Sequence, residues 1–335
     1  MQHEQPDHGP IERSNRTGSF NYLAASVEPS LYRNGRVLTR RDRDGSDSGT
    51  EGLVMEGVEV VVHDARPGEH GVVFTLARNG FELRARPLRD ARLNFLQHAP
   101  VVEHYYTECA DLVREVTGAA HVFAFDHNVR SAQGKKTKLR IGGGQEVQPP
   151  AHVVHGEYTL SSAPQRLRDL AAPPSGNDTL RPFLPPGESL IPPALVERAL
   201  SGPARFAIIN VWRNIADTPV AVHPLALCDA QSVAPEDLVV FEIHYPDRIG
   251  ENYFARHASR HRWYYYPALT RDEVLLIKQW DSAGSLARSQ GKNPDFSSGE
   301  APCTFSFHSA FHDPETAADA PDRWSIEVRC AVIYE

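Results

Sequence analysis

The residues best suited to chemistry lie in the run His152-Val153-Val154-His155-Gly156-Glu157-Tyr158. It reads as a short strand, and strand side chains alternate between faces, so His155 and Glu157 project to the same side. An imidazole and a carboxylate at that spacing form a pair of metal ligands. One distant histidine completes the 2-His-1-carboxylate face that holds non-haem Fe(II) with open coordination positions. With 16 His and 43 acidic residues in 335, about two His-x-Asp/Glu triplets arise by chance, and the chain has one. The triplet therefore carries weight only if the rest of the chain supports it. His152, three residues before His155, falls on the opposite face, where it packs or meets solvent.

A third ligand must come from a strand far along the chain. His308, in Cys303-Thr304-Phe305-Ser306-Phe307-His308-Ser309-Ala310-Phe311, is the preferred candidate, with His244 as second choice. The run Arg323-Trp324-Ser325-Ile326-Glu327-Val328-Arg329 alternates strictly, placing Arg323, Ser325, Glu327 and Arg329 on one face. If that face looked at solvent, this would be an ordinary amphipathic strand. If it looks into a barrel, Arg323 and Ser325 can grip a carboxylate, the guanidinium fork giving two charge-assisted hydrogen bonds. Arg329 is the rival for that role.

Other side chains are candidates for substrate contact. His127 and Arg130 end a strand that precedes the metal strand, and structural hydrogen bonding is the competing role. Asn210, Trp212 and Asn214 share one strand face and Arg213 takes the other, so at most one set lines a cavity. Lys278 lies in an apolar strand and needs a partner, which could be Asp281, Glu327 or an anionic substrate. The run Tyr264-Tyr265-Tyr266 fits core or rim packing better than substrate stacking, and Cys228 and Cys330 read as small buried hydrophobes.

These residues require a scaffold, and the chain has the means to build one. It is 41% hydrophobic and 23% charged, the make-up of a folded globular protein. A net charge of −8 argues against nucleic acid as a partner, and no apolar run approaches the roughly 20 residues that span a bilayer. The polar start, Met1 to Arg16, lacks the apolar core of a signal peptide. Four scattered cysteines without a Cys-x-x-Cys pattern fit a reducing cytoplasm.

The pattern predicts a flexible leader over residues 1–17 and a flexible loop from Arg36 to Gly52. Strands are expected at Val58–His63, Val72–Leu76 and Phe81–Arg86, as a meander within an N-terminal β-rich extension over 18–94. A jelly-roll catalytic domain is expected over 95–335. Residues 101–117 carry apolar positions at helical spacing, and short helices are expected at Ser162–Leu170 and Leu190–Leu200. Strands are then expected at Ala120–Phe125, Phe206–Trp212, Val220–Leu227, Leu238–His244, Trp263–Tyr266, Val274–Trp280, Cys303–His308 and Trp324–Tyr334. So many closely spaced strands without regular helical crossovers favour a sandwich or barrel over a parallel α/β sheet.

Five strings carry a family resemblance: Asn210-Val211-Trp212-Arg213-Asn214, Pro224 to Ser232, Lys278-Gln279-Trp280-Asp281-Ser282, His308-Ser309-Ala310-Phe311 and Ser325 to Cys330. Together they resemble the hydroxylase/desaturase family of fungal and bacterial secondary metabolism, which includes a component of cephamycin 7-methoxylation. That family is similar to non-haem iron, 2-oxoglutarate-dependent oxygenases, and the likeness runs from about Phe95 to the C-terminus. In many such oxygenases an Arg-x-Ser after the distal His holds the C5 carboxylate of the co-substrate; here 15 residues separate His308 from Arg323, long for that pattern. The family usually has His-x-Asp where this chain has His155-Gly156-Glu157.

The resemblance implies an α+β, mainly β protein built on a double-stranded β-helix, a cupin-like jelly roll with flanking helices. His155, Glu157 and His308 would hold Fe(II), with Arg323, Ser325 or Arg329 on 2-oxoglutarate and O2 as the oxidant. His127, Arg130, Asn210, Trp212 and Lys278 would face a small natural-product substrate that is hydroxylated or desaturated, with loops 171–188 and 283–302 shaping the pocket. Two alternatives stay open: a cupin-like metalloenzyme that does not use 2-oxoglutarate, and a non-catalytic accessory partner of a biosynthetic oxygenase. A homo-oligomer or a biosynthetic partner protein fits either.

Overall fold

The computed structural model describes residues 15–42, 47–66, 73–176, 178–201, 204–246 and 248–334. The expected leader up to residue 14, the middle of the Arg36–Gly52 loop and Val72 lie outside them. Fifteen strands are described: β1 (Arg16–Leu23), β2 (Leu38–Arg41), β3 (Asp47–Glu51), β4 (Met55–Asp64), β5 (Phe81–Ala85), β6 (His121–Arg130), β7 (His155–Gly156), β8 (Arg205–Asn214), β9 (Leu225–Cys228), β10 (Leu238–His244), β11 (Ile249–Ala255), β12 (Trp263–Tyr265), β13 (Glu273–Asp281), β14 (His308–Ala310) and β15 (Ser325–Tyr334). Helices are few. The main one, Tyr106–Thr117, follows one π-turn at Val101–Tyr105 and ends at Gly118, whose φ of 66° supplies the left-handed cap.

The strands form two sheets. The larger has ten, in the order β1-β4-β12-β9-β14-β7-β11-β10-β2-β3, and the smaller has five, in the order β5-β13-β8-β15-β6. Pairing is antiparallel except for β4 with β12 and β2 with β10. The interior strands β8, β13 and β15 are buried along nearly their whole length, as expected of strands covered on both faces.

Several expectations need correction, among them the flexible loop at Arg36–Gly52, which carries β2 and β3, and the strand at Val220–Leu227, which begins only at Leu225. The N-terminal strands are not a meander: β1 and β4 pair at one end of the large sheet, β2 and β3 at the other, and β5 edges the small sheet. β2, β4 and β5 each find a partner in the second half of the chain (β10, β12 and β13), which local pattern cannot announce. The run at Val73–Leu76 is loop, its Phe74 stacked on Phe81. Cys303–Phe307 is buried yet extended outside the sheet, and the strand starts only at His308. Burial alone accounts for that apolar run.

One main core holds Tyr22 and Trp263 from the large sheet and Phe307 from the segment before β14, together with Val211, Ile326 and Val328 from the small sheet and Val113 from the helix. Each large side chain fully buried there contributes about 2–3 kcal/mol of apolar burial. The helix packs against β6, β8 and β15. Arg213 reaches it through Tyr105 (2.9 Å) and Glu108 (3.3 Å), and His127 through Tyr106 (2.9 Å). Side-chain alternation therefore turns Asn210, Trp212, Asp126, Asn128 and Arg130 the other way. The β15 register sets Arg329 opposite Asn210 and Asp126, Glu327 opposite Trp212 and Asn128, and Ser325 opposite Arg130. This polar inner face of the small sheet looks toward β7 and β14.

Candidate metal centre

His155 pairs across the ladder with both Phe254 of β11 and His308 of β14. The two imidazoles sit with ring centroids 4.3 Å apart. One ligand atom each from His155, Glu157 and His308 lies within 4.8 Å of the others, and this is the group of its kind found among the described residues. Gly156 between the two ligands sits against a close wall: a Cβ there would lie 3.0 Å from the Phe305 ring, which would have to give way. Glu157 follows the two-residue strand, its backbone N–H donating to Gln279 Oε1 at 3.2 Å.

The imidazoles are prepared as ligands. His155 Nδ1 lies 2.8 Å from the Val153 carbonyl, which fixes the tautomer and leaves the Nε2 lone pair free. His308 Nδ1 is buried without a hydrogen-bond partner. Burial, and for His308 the neighbouring His155, holds both groups below the ordinary imidazole range, so they are neutral at pH 7. Burial would raise the Glu157 carboxyl, but the charge and paired hydrogen bonds of Arg329, with help from His308 and Asn210, bring it well below the usual carboxylate range.

Beside the triad is a cleft with ≈ 290 Å³ of empty space, lined among others by His155, His308, Arg130, Trp212, Arg323 and Glu327. Its enclosed part is narrow, ≈ 20 Å³, room for about one water molecule. Arg323 Nε in its lining is buried without a partner, as are Ser325 Oγ and Asn210 Oδ1 on the inner face of the small sheet. Among the described residues neither Arg323 nor Arg130 has a carboxylate within ion-pair distance; Arg323 donates to the His223 carbonyl and Arg130 to that of Pro149. Burial, then the neighbouring Arg130, pulls the Arg323 guanidinium down to about 9. Burial and the Glu157 carboxylate push Glu327 up to about 7. A buried guanidinium without an ion-paired carboxylate can receive an anion.

The remaining expected residues separate cleanly. Arg329 is no free clamp, since Nε and Nη2 donate to the two Glu157 oxygens at 2.7 and 2.6 Å and Nη1 to Asp126 at 2.9 Å. Asn210 donates to Glu157 Oε2 at 3.1 Å, and Trp212 lines the cleft with the Arg323 guanidinium 5.8 Å from its ring. Lys278 does not face the cleft: it is buried against Asp281 at 2.9 Å and the Cys303 carbonyl at 3.1 Å. His127 points to the helix side, because it is an odd number of residues from Arg130 on one strand. His244 is remote, bonded to Glu242 at 2.8 Å. His152 sits edge-on to His223. Cys228 and Cys330 are free and buried, as the sequence predicts.

Sequence reasoning missed Asp126, Asn128 and Gln279. Strand parity could have found the first two, since they share a face with Arg130; Gln279 carries no comparable signal. Loop 171–188 reaches the same network, with Thr179 Oγ1 2.5 Å from Asp126 and Leu180 buried. Loop 283–302 is pinned elsewhere by buried Asp295, which caps Thr304 and Leu286.

A mainly β chain with two imidazoles and a carboxylate converging beside an anion-ready cleft defines a non-haem metal protein class. The chain matches the oxidoreductase/YMDC permease-like domain family over residues 20–182 and 188–333 and belongs to it. It is 31% identical over 279 residues to the Fe(II)/2-oxoglutarate-dependent dioxygenase nvfI of Aspergillus novofumigatus, covering 82% of each chain. It is 29% identical to the hydroxylase/desaturase efuI of Hormonema carpetanum, over 82% of this chain and 83% of that one. A solved structure of the iron and alpha-ketoglutarate-dependent endoperoxidase NvfI is similar with a TM-score of 0.66 and 25% identity, over 96% of this chain and 99% of that chain. Among the described residues no helix is long and apolar enough to cross a membrane.

Proposed function

We propose that the protein is an Fe(II)/2-oxoglutarate-dependent oxygenase that hydroxylates or desaturates a small natural-product intermediate. The observation that carries this is the convergence of His155, Glu157 and His308 beside the cleft wall that holds Arg323, whose Nε has no partner and which has no ion-paired carboxylate among the described residues. Two neutral imidazoles and one carboxylate are the donor set that suits Fe(II) with positions left open. Relatives with Fe(II)/2-oxoglutarate-dependent dioxygenase activity support the same reading.

In this reading His155, Glu157 and His308 hold the iron. Bound Fe(II), with 2-oxoglutarate and O2, supplies the oxidising power for attack on an unactivated C–H bond. Arg323 and Ser325 hold the carboxylate of 2-oxoglutarate remote from the metal, the guanidinium giving up no existing ion pair to do so. Trp212 walls the cleft beside Arg323 and keeps water from that contact. Arg130 and Asn210 complete the polar lining, and His127 and Lys278 are structural. The two sheets are assigned to the double-stranded β-helix, with a cytoplasmic location.

The test is 2-oxoglutarate turnover with added Fe(II) under air. Succinate release that needs Fe(II) and is lost in His308→Ala supports the assignment. Iron binding without 2-oxoglutarate consumption would favour a cupin-like enzyme of another chemistry.

A further inference from the structure

The inner face of the small sheet puts a guanidinium directly behind one of the three converging groups. A glutamate side chain has three torsions, and fixing it costs on the order of 1–2 kcal/mol of rotamer entropy. Glu157 is fixed by a fork: Arg329 Nε and Nη2 take one oxygen each, at 2.7 and 2.6 Å. Asn210 Nδ2 takes a further site on Oε2 at 3.1 Å. A carboxylate offers about four lone-pair sites, so these three donors leave one free.

Arg329 is held in its turn. Nη1 donates to Asp126 at 2.9 Å, and Asp126 accepts from Thr179 Oγ1 at 2.5 Å. With its oxygen turned toward the guanidinium, Asn128 accepts from Nη1 and Nη2 at 3.1 and 3.0 Å. The fork is thus braced from β6 and from the loop that carries Thr179. Its nitrogens are used up, so it cannot also bind a co-substrate.

We propose that Arg329 is a positioning residue that holds Glu157 as a single-oxygen ligand, with Asp126 as its brace. This rests on the reading of Glu157 as a metal ligand. Groups that orient a ligand from behind typically change metal affinity 10- to 100-fold when removed.

The experiment is anaerobic titration of the full-length, metal-free protein with Co(II), read by calorimetry and by the visible ligand-field spectrum. Arg329→Gln should weaken Co(II) binding about 10- to 100-fold and alter the spectrum. Arg329→Lys keeps the charge but not the fork, and should recover only part of the affinity. Asp126→Asn should move both readouts the same way by a smaller factor, and it carries the test if Arg329→Gln does not fold. Wild-type affinity and an unchanged spectrum in Arg329→Lys and Asp126→Asn would overturn the proposal while leaving the ligand assignment intact, as would tighter binding. Co(II) binding in the wild type that survives His308→Ala and Glu157→Ala would overturn the ligand assignment and the proposal together.

Discussion

His155 and His308 stand opposite each other on adjacent antiparallel strands, with ring centroids 4.3 Å apart. The sheet ladder, rather than a loop, sets their spacing, and both rings are neutral before any metal arrives. Replacing either with Ala should therefore abolish measurable Fe(II) binding, a larger loss than removal of any outer partner. His308→Ala should cost the fold no more than about 1–2 kcal/mol, since its Nδ1 has no hydrogen-bond partner, and His155→Ala somewhat more for the lost Val153 contact. Anaerobic calorimetry and urea unfolding read the two effects separately.

Arg323 is buried with no carboxylate in ion-pair distance among the described residues, and the proposed reading gives it the 2-oxoglutarate carboxylate. Arg323→Gln should weaken 2-oxoglutarate binding about 10- to 150-fold, the equivalent of about 1.5–3 kcal/mol for a charge-assisted contact. The melting temperature of the ligand-free protein should stay level or rise. A fall in stability with unchanged 2-oxoglutarate affinity would assign Arg323 to structure instead.

Lys278 and Asp281 make the opposite pairing, one that serves the fold. Asp281 is fully buried and also takes Arg205 at 2.7 Å. Asp281→Asn leaves the buried Lys278 ammonium without its countercharge and should cost about 3–5 kcal/mol. Affinity for 2-oxoglutarate should not change in protein that remains folded, which equilibrium binding beside a denaturant titration will show.

Burial, opposed by Asp126 and aided by His98 and Arg329, lowers the His127 imidazole to about 4. Above about pH 6.5 His127 is neutral folded or unfolded, and its contribution to stability is fully present. Between there and about 4 only the unfolded chain takes up the proton, so stability falls as pH falls through that window. The loss is on the order of 3 kcal/mol at most. His127→Gln should flatten the urea midpoint against pH over that range relative to wild type.

The His155–Glu157 pair and the main helix were legible because each is written locally. His155 and Glu157 share a face by period two, and residues 101–117 show helical spacing that the helix Tyr106–Thr117 follows. The choice between Arg323 and Arg329 was not legible. Arg329 lies in β15 and Arg323 just before it on the same alternation, and only the register against β6 and the contacts that follow from it show that Arg329 meets Asp126 and Glu157. Lys278 shows the same limit, since a lysine in an apolar strand demands a partner without naming it. The strand β11 was missed because Ile249-Gly250-Glu251-Asn252 is too polar to read as sheet, although it pairs along all of β10. The dispersal of β1 to β5 over two sheets depends on partners more than 100 residues away, which no local pattern encodes.

The most direct test of the central claim is visible absorption during anaerobic addition of Fe(II) and 2-oxoglutarate to metal-free protein. Chelation of 2-oxoglutarate by protein-bound Fe(II) gives a weak charge-transfer band. The account predicts that band in wild type, its loss in His155→Ala and His308→Ala, and its appearance in Arg323→Gln only at much higher 2-oxoglutarate. A wild-type protein that binds Fe(II) yet gives no band at saturating 2-oxoglutarate, or a band that survives loss of either histidine, would contradict it.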